Sequence, residues 1–243
     1  MLHDRDIREP LFEFLEETYG KIRIIEEKTM GRSRADVIMV LETGLYGIEI
    51  KSDADTYVRL ASQVKDYEQY FDRNIIVVGA THAMGVQSHV PDHWGIITVE
   101  EVDGKADFYI LRWAKDNPQV QWEKKLQMLW KPELAAILQE YNLPKYKEKS
   151  RRFVIEKICA NMPGKIPEDG LARLVSEILF ERDYTKADET LREYRKGEIQ
   201  KQLEQETDPG RLIELYMLRA EKNGQMAAAG LRKKRRGRKR RKE

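Results

Sequence analysis

The sequence predicts an α/β fold, a mixed sheet with helices on its faces, followed by an all-helical segment and a disordered basic tail. Three observations carry this. Between residues 4 and 113 the apolar period switches from helical to strand-like and back. One run, NIIVVGA at 74–80, is almost wholly apolar, as a strand covered on both faces requires. After about residue 115 no convincing strand pattern appears, and residues 232–243 hold ten Lys or Arg against one Glu.

Taken in order, Ile7, Leu11, Phe14 and Leu15 recur at helical spacing with acids between them, predicting an amphipathic helix over 4–18 closed by Gly20. KIRIIEEKT (21–29), RADVIMVL (34–41) and GLYGIEIK (44–51) are short, β-branched runs separated by turns containing glycine, and are expected strands. Leu60, Val64, Tyr67 and Phe71 form one stripe of a helix over 56–71. Strand 74–80 follows, then a short helix before Pro91. WGIITVEE (94–101) and KADFYILRW (105–113) flank Asp103-Gly104, a strong hairpin signal. The economical arrangement is a mixed sheet covered by helices.

Further on, Lys131-Pro132-Glu133 reads as a helix start with proline in the first turn. Ser150 is a candidate cap for a helix carrying Val154 and Ile158, and Leu171, Leu174, Val175 and Ile178 mark another after Pro167. Residues 187–223 suggest a charged helical pair broken at Asp208-Pro209-Gly210. The expected domains are 1–118 (α/β), 119–223 (helical) and 224–243 (tail).

Apolar residues make up 41% and charged residues 35%, enough for a core beneath a highly charged surface. No run approaches the roughly 20 apolar residues of a membrane span, and Met1 to Asp6 contains no signal-peptide run. A cytoplasmic protein is expected, nucleoid-associated if it binds DNA. The single cysteine, Cys159, excludes an internal disulfide and a cysteine-based zinc site. The tail carries a net +9 within a chain of +2, which leaves residues 1–231 at −7. Its natural partner is a polyanion, although a solubilising tail or an import signal has the same composition.

On the third strand Glu49 and Lys51 share a face, and Ile48 and Ile50 share the other. Asp36 begins the second strand. If Glu42-Thr43-Gly44 closes a hairpin, residues 36 and 51 fall close to opposite, with 49 diagonal to 36. Two carboxylates and an ammonium then converge at the end of the sheet. Neighbouring carboxylates repel unless a cation lies between them. Mg²⁺ is the ion that one or two carboxylates with substrate phosphates usually hold. Such a cluster suits phosphodiester hydrolysis. On the next helix Gln63 and Tyr67 lie one turn apart, both able to hydrogen-bond; taken alone, each also fits an ordinary packing or surface role.

Asp36, then Glu49-Ile50-Lys51, then Gln63-x-x-x-Tyr67 resemble the PD-(D/E)XK nuclease superfamily, in its RecB-like and Cas4-like branch with the Q-x-x-x-Y element. The predicted order matches that superfamily's αβββαβ, restriction-endonuclease-like core. RADVIMV, LYGIEIKSDADTYVRLASQVKDYEQYFD, IIVVGATHA and HWGIITV are also similar to a bacterial and phage family of such proteins. The resemblance covers residues 4–100 best. It implies that Asp36 and Glu49 are metal ligands, Lys51 is the catalytic lysine, and Gln63 and Tyr67 support the site or contact DNA. It also implies a further acid as metal ligand: Glu27 or Glu26 on the first strand fits the narrower family best, and Glu9, Glu13 or Glu16 is the choice on the helix. Ala35 stands where the superfamily's name has proline.

The expected function is a Mg²⁺-dependent (or Mn²⁺-dependent) nuclease acting on DNA. The alternative is a DNA-binding or host-interaction protein whose core is silent or needs a partner, with the helical region as the protein-binding surface. Lys131 to Ile158 resembles a SAP-type helix–loop–helix whose Lys145, Lys147, Lys149, Arg151 and Arg152 could contact phosphates, though a solvated basic loop has the same pattern. In the tail the expected phosphate contacts are Arg232, Lys233, Lys234, Arg235, Arg236, Arg238, Lys239, Arg240, Arg241 and Lys242. Trp122 and Trp130 are expected to pack the junction between domains. His89 and His93 have the spacing of a helical metal pair, but Pro91 lies between them. Gly79-Ala80-Thr81 lacks the glycine pattern of a dinucleotide site.

Overall fold

A computed structural model describes residues 2–183. Its elements are α1 (Asp4–Tyr19), β1 (Arg23–Met30), β2 (Ser33–Leu41), β3 (Gly44–Lys51), α2 (Leu60–Tyr70), β4 (Arg73–Gly79), β5 (Gly95–Val102), β6 (Lys105–Arg112), α3 (Trp122–Lys125), α4 (Lys131–Glu140), α5 (Arg151–Asn161) and α6 (Glu168–Glu181). The first six follow the expected α-β-β-β-α-β order. The predicted helix at 56–71 is a 3₁₀ turn, Tyr57–Arg59, running into α2. Only a second 3₁₀ turn, Val86–Ser88, precedes Pro91.

All six strands form one sheet in sequence order. β1, β2 and β3 pair antiparallel, β4 and β5 continue parallel to β3, and β6 returns antiparallel. Turn chemistry fixes the hairpins. Asp103 and Gly104 both take positive φ, the conformation a two-residue primed turn needs, and Val102 pairs with Lys105. In β4, residues Asn74 to Gly79 are all buried, as the apolar run predicted.

Because side chains alternate, the sheet divides its apolar residues between two cores. On one face Val37, Met39, Ile48, Ile50, Ile75 and Val77 pack with Ile7, Leu11 and Leu15 of α1. On the other, Ile38, Val40, Leu45, Ile76 and Val78 pack with Tyr67 and Phe71 and with apolar residues of α4, α5 and α6. These three later helices therefore share the sheet's core, and residues 1–182 cluster as one compact unit. The boundary expected near 115–125 falls inside that unit. The reason is that the α2 side of the sheet is apolar beyond what one 11-residue helix can cover. The helical pair expected at 187–223 and the tail at 224–243 lie outside the described residues. No described helix is long and apolar enough to cross a membrane.

Gly47 positions α2. A Cβ there would lie 2.2 Å from Phe71 Cδ2 and 2.7 Å from Tyr67 Cδ1, so only glycine lets the two rings lie directly on β3. Asp66 of the same helix accepts the backbone N–H of Arg32 at 3.2 Å, tying α2 to the β1–β2 turn. At the opposite end of β3, Asp72 accepts from Leu45 N at 2.7 Å and from the fully buried Lys125 at 2.7 Å.

Candidate functional site

The predicted residues Asp36, Glu49, Lys51, Gln63 and Tyr67 come together on the α2 face of the sheet. One part of the expected geometry is corrected. The β2–β3 ladder closes at Leu41 and Gly44 over a two-residue turn, Glu42-Thr43, and its last pair is Val37 with Ile48. Extending that register sets Asp36 opposite Glu49, with Lys51 diagonal, rather than Asp36 opposite Lys51. The shift is by two residues, so all three stay on one face and the two carboxylates are brought closer together.

Glu49 is 1% exposed and fully bonded. Its Oε1 accepts from Lys51 Nζ at 2.5 Å and Gln63 Nε2 at 2.5 Å, and its Oε2 accepts from Tyr67 OH at 2.8 Å. Gln63 also accepts from Lys51 Nζ at 3.1 Å through Oε1. The four-residue spacing of Gln63 and Tyr67 thus delivers two donors to the two oxygens of one carboxylate. Tyr67 is wholly buried, and its hydroxyl accepts the Asp36 N–H at 3.3 Å. Burial, then the charges of Glu49 and Asp36, hold the phenol well above its ordinary pKa, so it remains a donor.

Asp36 faces the solvent side of the cluster. Its Oδ2 accepts the Ile50 N–H at 3.0 Å. Burial, then the Glu49 charge, pushes its carboxyl from 3.8 up to about 6, against the opposing pull of the Ile50 N–H, Arg8 and Lys51. Two hard carboxylates side by side suit a divalent cation such as Mg²⁺ or Mn²⁺.

Glu27 lies opposite Asp36, at a break in the β1–β2 ladder that leaves the register unchanged. Glu26 pairs with Val37 and Lys28 with Ala35, and between them Glu27 takes a φ of 53°. Its side chain lines the same cleft, but its carboxylate pairs with Arg34 at 3.4 Å. Among the described residues no group of three or more His, Cys, Asp or Glu is disposed to hold a metal ion. From α1 the cleft is lined by Asp4 and Arg8, not by Glu9, Glu13 or Glu16.

Arg8 is the residue the sequence did not point to. Its NH2 lies 3.6 Å from Asp36 Oδ1, its NH1 donates to Asp36 O at 3.3 Å, and its Nε donates to Asp4 Oδ2 at 2.6 Å. The available signal was modest: an Asp4–Arg8 pair one turn apart beside the buried Ile7 and Leu11. The open cleft in front of these groups has a volume of about 570 Å³, and Arg32, Arg34 and Arg59 also line it.

The other candidates are dispersed. Arg151 donates to the Gln127 carbonyl, and the exposed Arg152 pairs with Glu156 at 2.9 Å. Lys149 lies over the Phe153 ring at 5.6 Å. Ser150 caps α5, its hydroxyl accepting from Phe153 N at 3.2 Å. The tail residues Arg232 to Lys242 lie outside the described residues. His93 contacts Glu68 at 2.9 Å, whereas the His89 ring lies 4.3 Å from the Tyr57 ring. Trp122 donates to Glu168 at 2.9 Å, and Trp130 lies beneath the Arg182 guanidinium at 4.2 Å.

Among solved structures, the chain is similar to one titled "The structure of Pyrococcus Furiosus SfsA in complex with Ca2+", at 15% identity and a TM-score of 0.29. That match covers 49% of this chain and 65% of the other, slightly under two thirds of its length. No curated protein matches the chain. The family described as bacteriophage P4 protein cII matches over residues 2–205, spanning the sheet, the cluster around Glu49 and the six helices of the described residues. The chain therefore belongs to the bacteriophage P4 protein cII family.

Proposed function

We propose that this protein is a divalent-metal-dependent nuclease of the PD-(D/E)XK type that hydrolyses DNA phosphodiester bonds. The observation that carries the reading is the charge arrangement at the end of β2 and β3. Asp36 and Glu49 face one another at the cleft, and Lys51 stands beside them, 5% exposed, on the cleft wall.

Asp36 and Glu49 would hold Mg²⁺ or Mn²⁺. When bound, such an ion lowers the pKa of a coordinated water and polarises a phosphoryl oxygen. Lys51 supplies fixed positive charge to the phosphate as negative charge develops there. Gln63 and Tyr67 bond to Glu49 from α2 and fix its orientation, so the carboxylate need not reorganise during the reaction. Arg32, Arg34 and Arg59 around the cleft, and the cationic tail, would contribute phosphate-backbone affinity without sequence preference.

The test is cleavage of linear, circular, single-stranded and branched DNA by the full chain with Mg²⁺ or Mn²⁺. Cleavage by the wild type, abolished in Lys51→Ala with DNA binding retained, is expected. Intact DNA under every condition overturns the reading.

One observation favours a second reading, a DNA-binding or protein-binding role with a silent or partner-dependent core. Both carboxylates already have cationic neighbours in Arg8 and Lys51, and no third acid joins them among the described residues. On that reading Lys51→Ala leaves both DNA affinity and biological effect unchanged.

A further inference from the structure

α1 sends an arginine, Arg8, to the carboxylate pair. The Arg8 side chain is only 15% exposed, and its guanidinium is shared between two acidic residues. Nε donates to Asp4 Oδ2 at 2.6 Å, while NH1 and NH2 reach Asp36 O and Oδ1 at 3.3 and 3.6 Å. A more distant contact, 4.0 Å, links NH1 to Glu26 Oε2.

The two oxygens of Asp36 are differently placed. Oδ2 is taken by the Ile50 N–H, which is fixed in the sheet. Oδ1 is the oxygen left to bind anything entering the cleft, and Arg8 is the cation beside it. Glu49 has its own cation, Lys51 at 2.5 Å, held in place by Gln63. Each carboxylate thus carries a resident positive charge supplied by a different element, Lys51 from the sheet and Arg8 from the helix on the opposite face.

We propose that Arg8 is a displaceable counter-cation: it neutralises Asp36 in the metal-free protein and must give up Oδ1 when a divalent ion binds. This rests on the metal site proposed above. The 3.6 Å contact is long for a charge-assisted hydrogen bond, whereas the bond to Asp4 is short, so Arg8 has a partner to retain after leaving Asp36. Asp4 thereby serves as the holding point of the displaced guanidinium.

Two consequences have opposite signs. Removing Arg8 should destabilise the metal-free protein, because two facing carboxylates are left with Lys51 alone. The same change should tighten divalent-ion binding, because no resident cation has to be displaced.

The experiment is calorimetric titration of Mn²⁺ into the full chain, with thermal melting of the metal-free protein, for wild type, Arg8→Gln, Arg8→Lys and Arg34→Gln. Arg8→Gln is expected to melt lower without metal and to bind Mn²⁺ roughly three- to tenfold more tightly. Arg8→Lys should lie between it and wild type. Arg34→Gln removes a charge from the same cleft that is paired with Glu27, and should change Mn²⁺ affinity by less than about twofold. Mn²⁺ binding by Arg8→Gln alone, with wild type silent, also supports the proposal. If wild type binds Mn²⁺ and Arg8→Gln binds it equally or less tightly, the counter-cation role is overturned while the metal site stands. An Arg34→Gln effect as large as that of Arg8→Gln reduces the matter to bulk electrostatics and overturns it too. If no variant binds Mn²⁺, the metal site itself fails and the inference falls with it.

Discussion

Tyr67→Phe removes one oxygen atom from the centre of the site and leaves the ring volume unchanged, so no cavity term enters. The lost hydroxyl donates to Glu49 Oε2 at 2.8 Å and accepts the Asp36 N–H at 3.3 Å. A hydrogen bond to a charged group contributes about 1.5–3 kcal/mol, and a buried group left without its partner costs about 1–3 kcal/mol. Glu49 retains Lys51 and Gln63 on its other oxygen, and the Asp36 N–H lies nearer the cleft, so the two losses should not add in full. A destabilisation of about 2–4 kcal/mol is expected. Urea unfolding at pH 7.5 without metal measures it, read from the midpoint at unchanged slope. In a double-mutant cycle with Glu49→Gln, the Tyr67→Phe cost should shrink by at least about 1 kcal/mol, because the acceptor is no longer charged. A cost below about 0.5 kcal/mol, or no coupling to Glu49, would refute the argument that α2 orients this carboxylate.

Two further predictions follow the same geometry, and a third follows the charge of the tail. Asp36 has a folded-state pKa of about 6 against 3.8, so the folded chain holds its proton more tightly than the unfolded chain; its contribution to stability is greatest below about pH 3.8 and is lost as the pH rises through 6. Asp36→Asn should remove that decline, gaining about 2–3 kcal/mol on wild type between pH 4 and pH 7 in urea titrations, and parallel curves would contradict it. Gly47→Ala should cost about 3 kcal/mol or more, since its Cβ would fall 2.2 Å from a buried Phe71 atom, and an unchanged melting temperature would contradict the packing of α2 on β3. Deleting residues 232–243 should weaken DNA binding and flatten its dependence on salt, measured by fluorescence anisotropy at several ionic strengths; an unaltered slope would remove the tail from the interface.

The sheet was legible because each strand carries its own signal. β4 is a continuous apolar run, Asp103-Gly104 supplies the residues a primed turn requires, and the parity of β3 separates Glu49 and Lys51 from Ile48 and Ile50. The residues that meet on β2, β3 and α2 were legible only in part: period 2 pairs Glu49 with Lys51 and period 3.6 pairs Gln63 with Tyr67, but it took the family resemblance to join both pairs to Asp36. Register was less so: turns of two and of four residues keep the same faces but differ by a two-residue shift, and Glu42-Thr43-Gly44 does not decide between them. The positive φ of Glu27 was invisible, because a non-glycine residue in that conformation leaves no mark in composition. Arg8 was missed because its role depends on how α1 crosses the opposite face of the sheet, a tertiary fact. The same holds for the packing of α4, α5 and α6. Their apolar stripes announce helices but not the surface they cover.

The most direct measurement is a crystal structure of the full chain soaked in Mn²⁺, with anomalous diffraction recorded to locate the metal. The account predicts an anomalous peak between the Asp36 and Glu49 carboxylates, with Lys51 beside it and the Arg8 guanidinium withdrawn towards Asp4. No peak at that position, with Asp36 still facing Arg8 and Glu49 still bonded to Lys51, would contradict it.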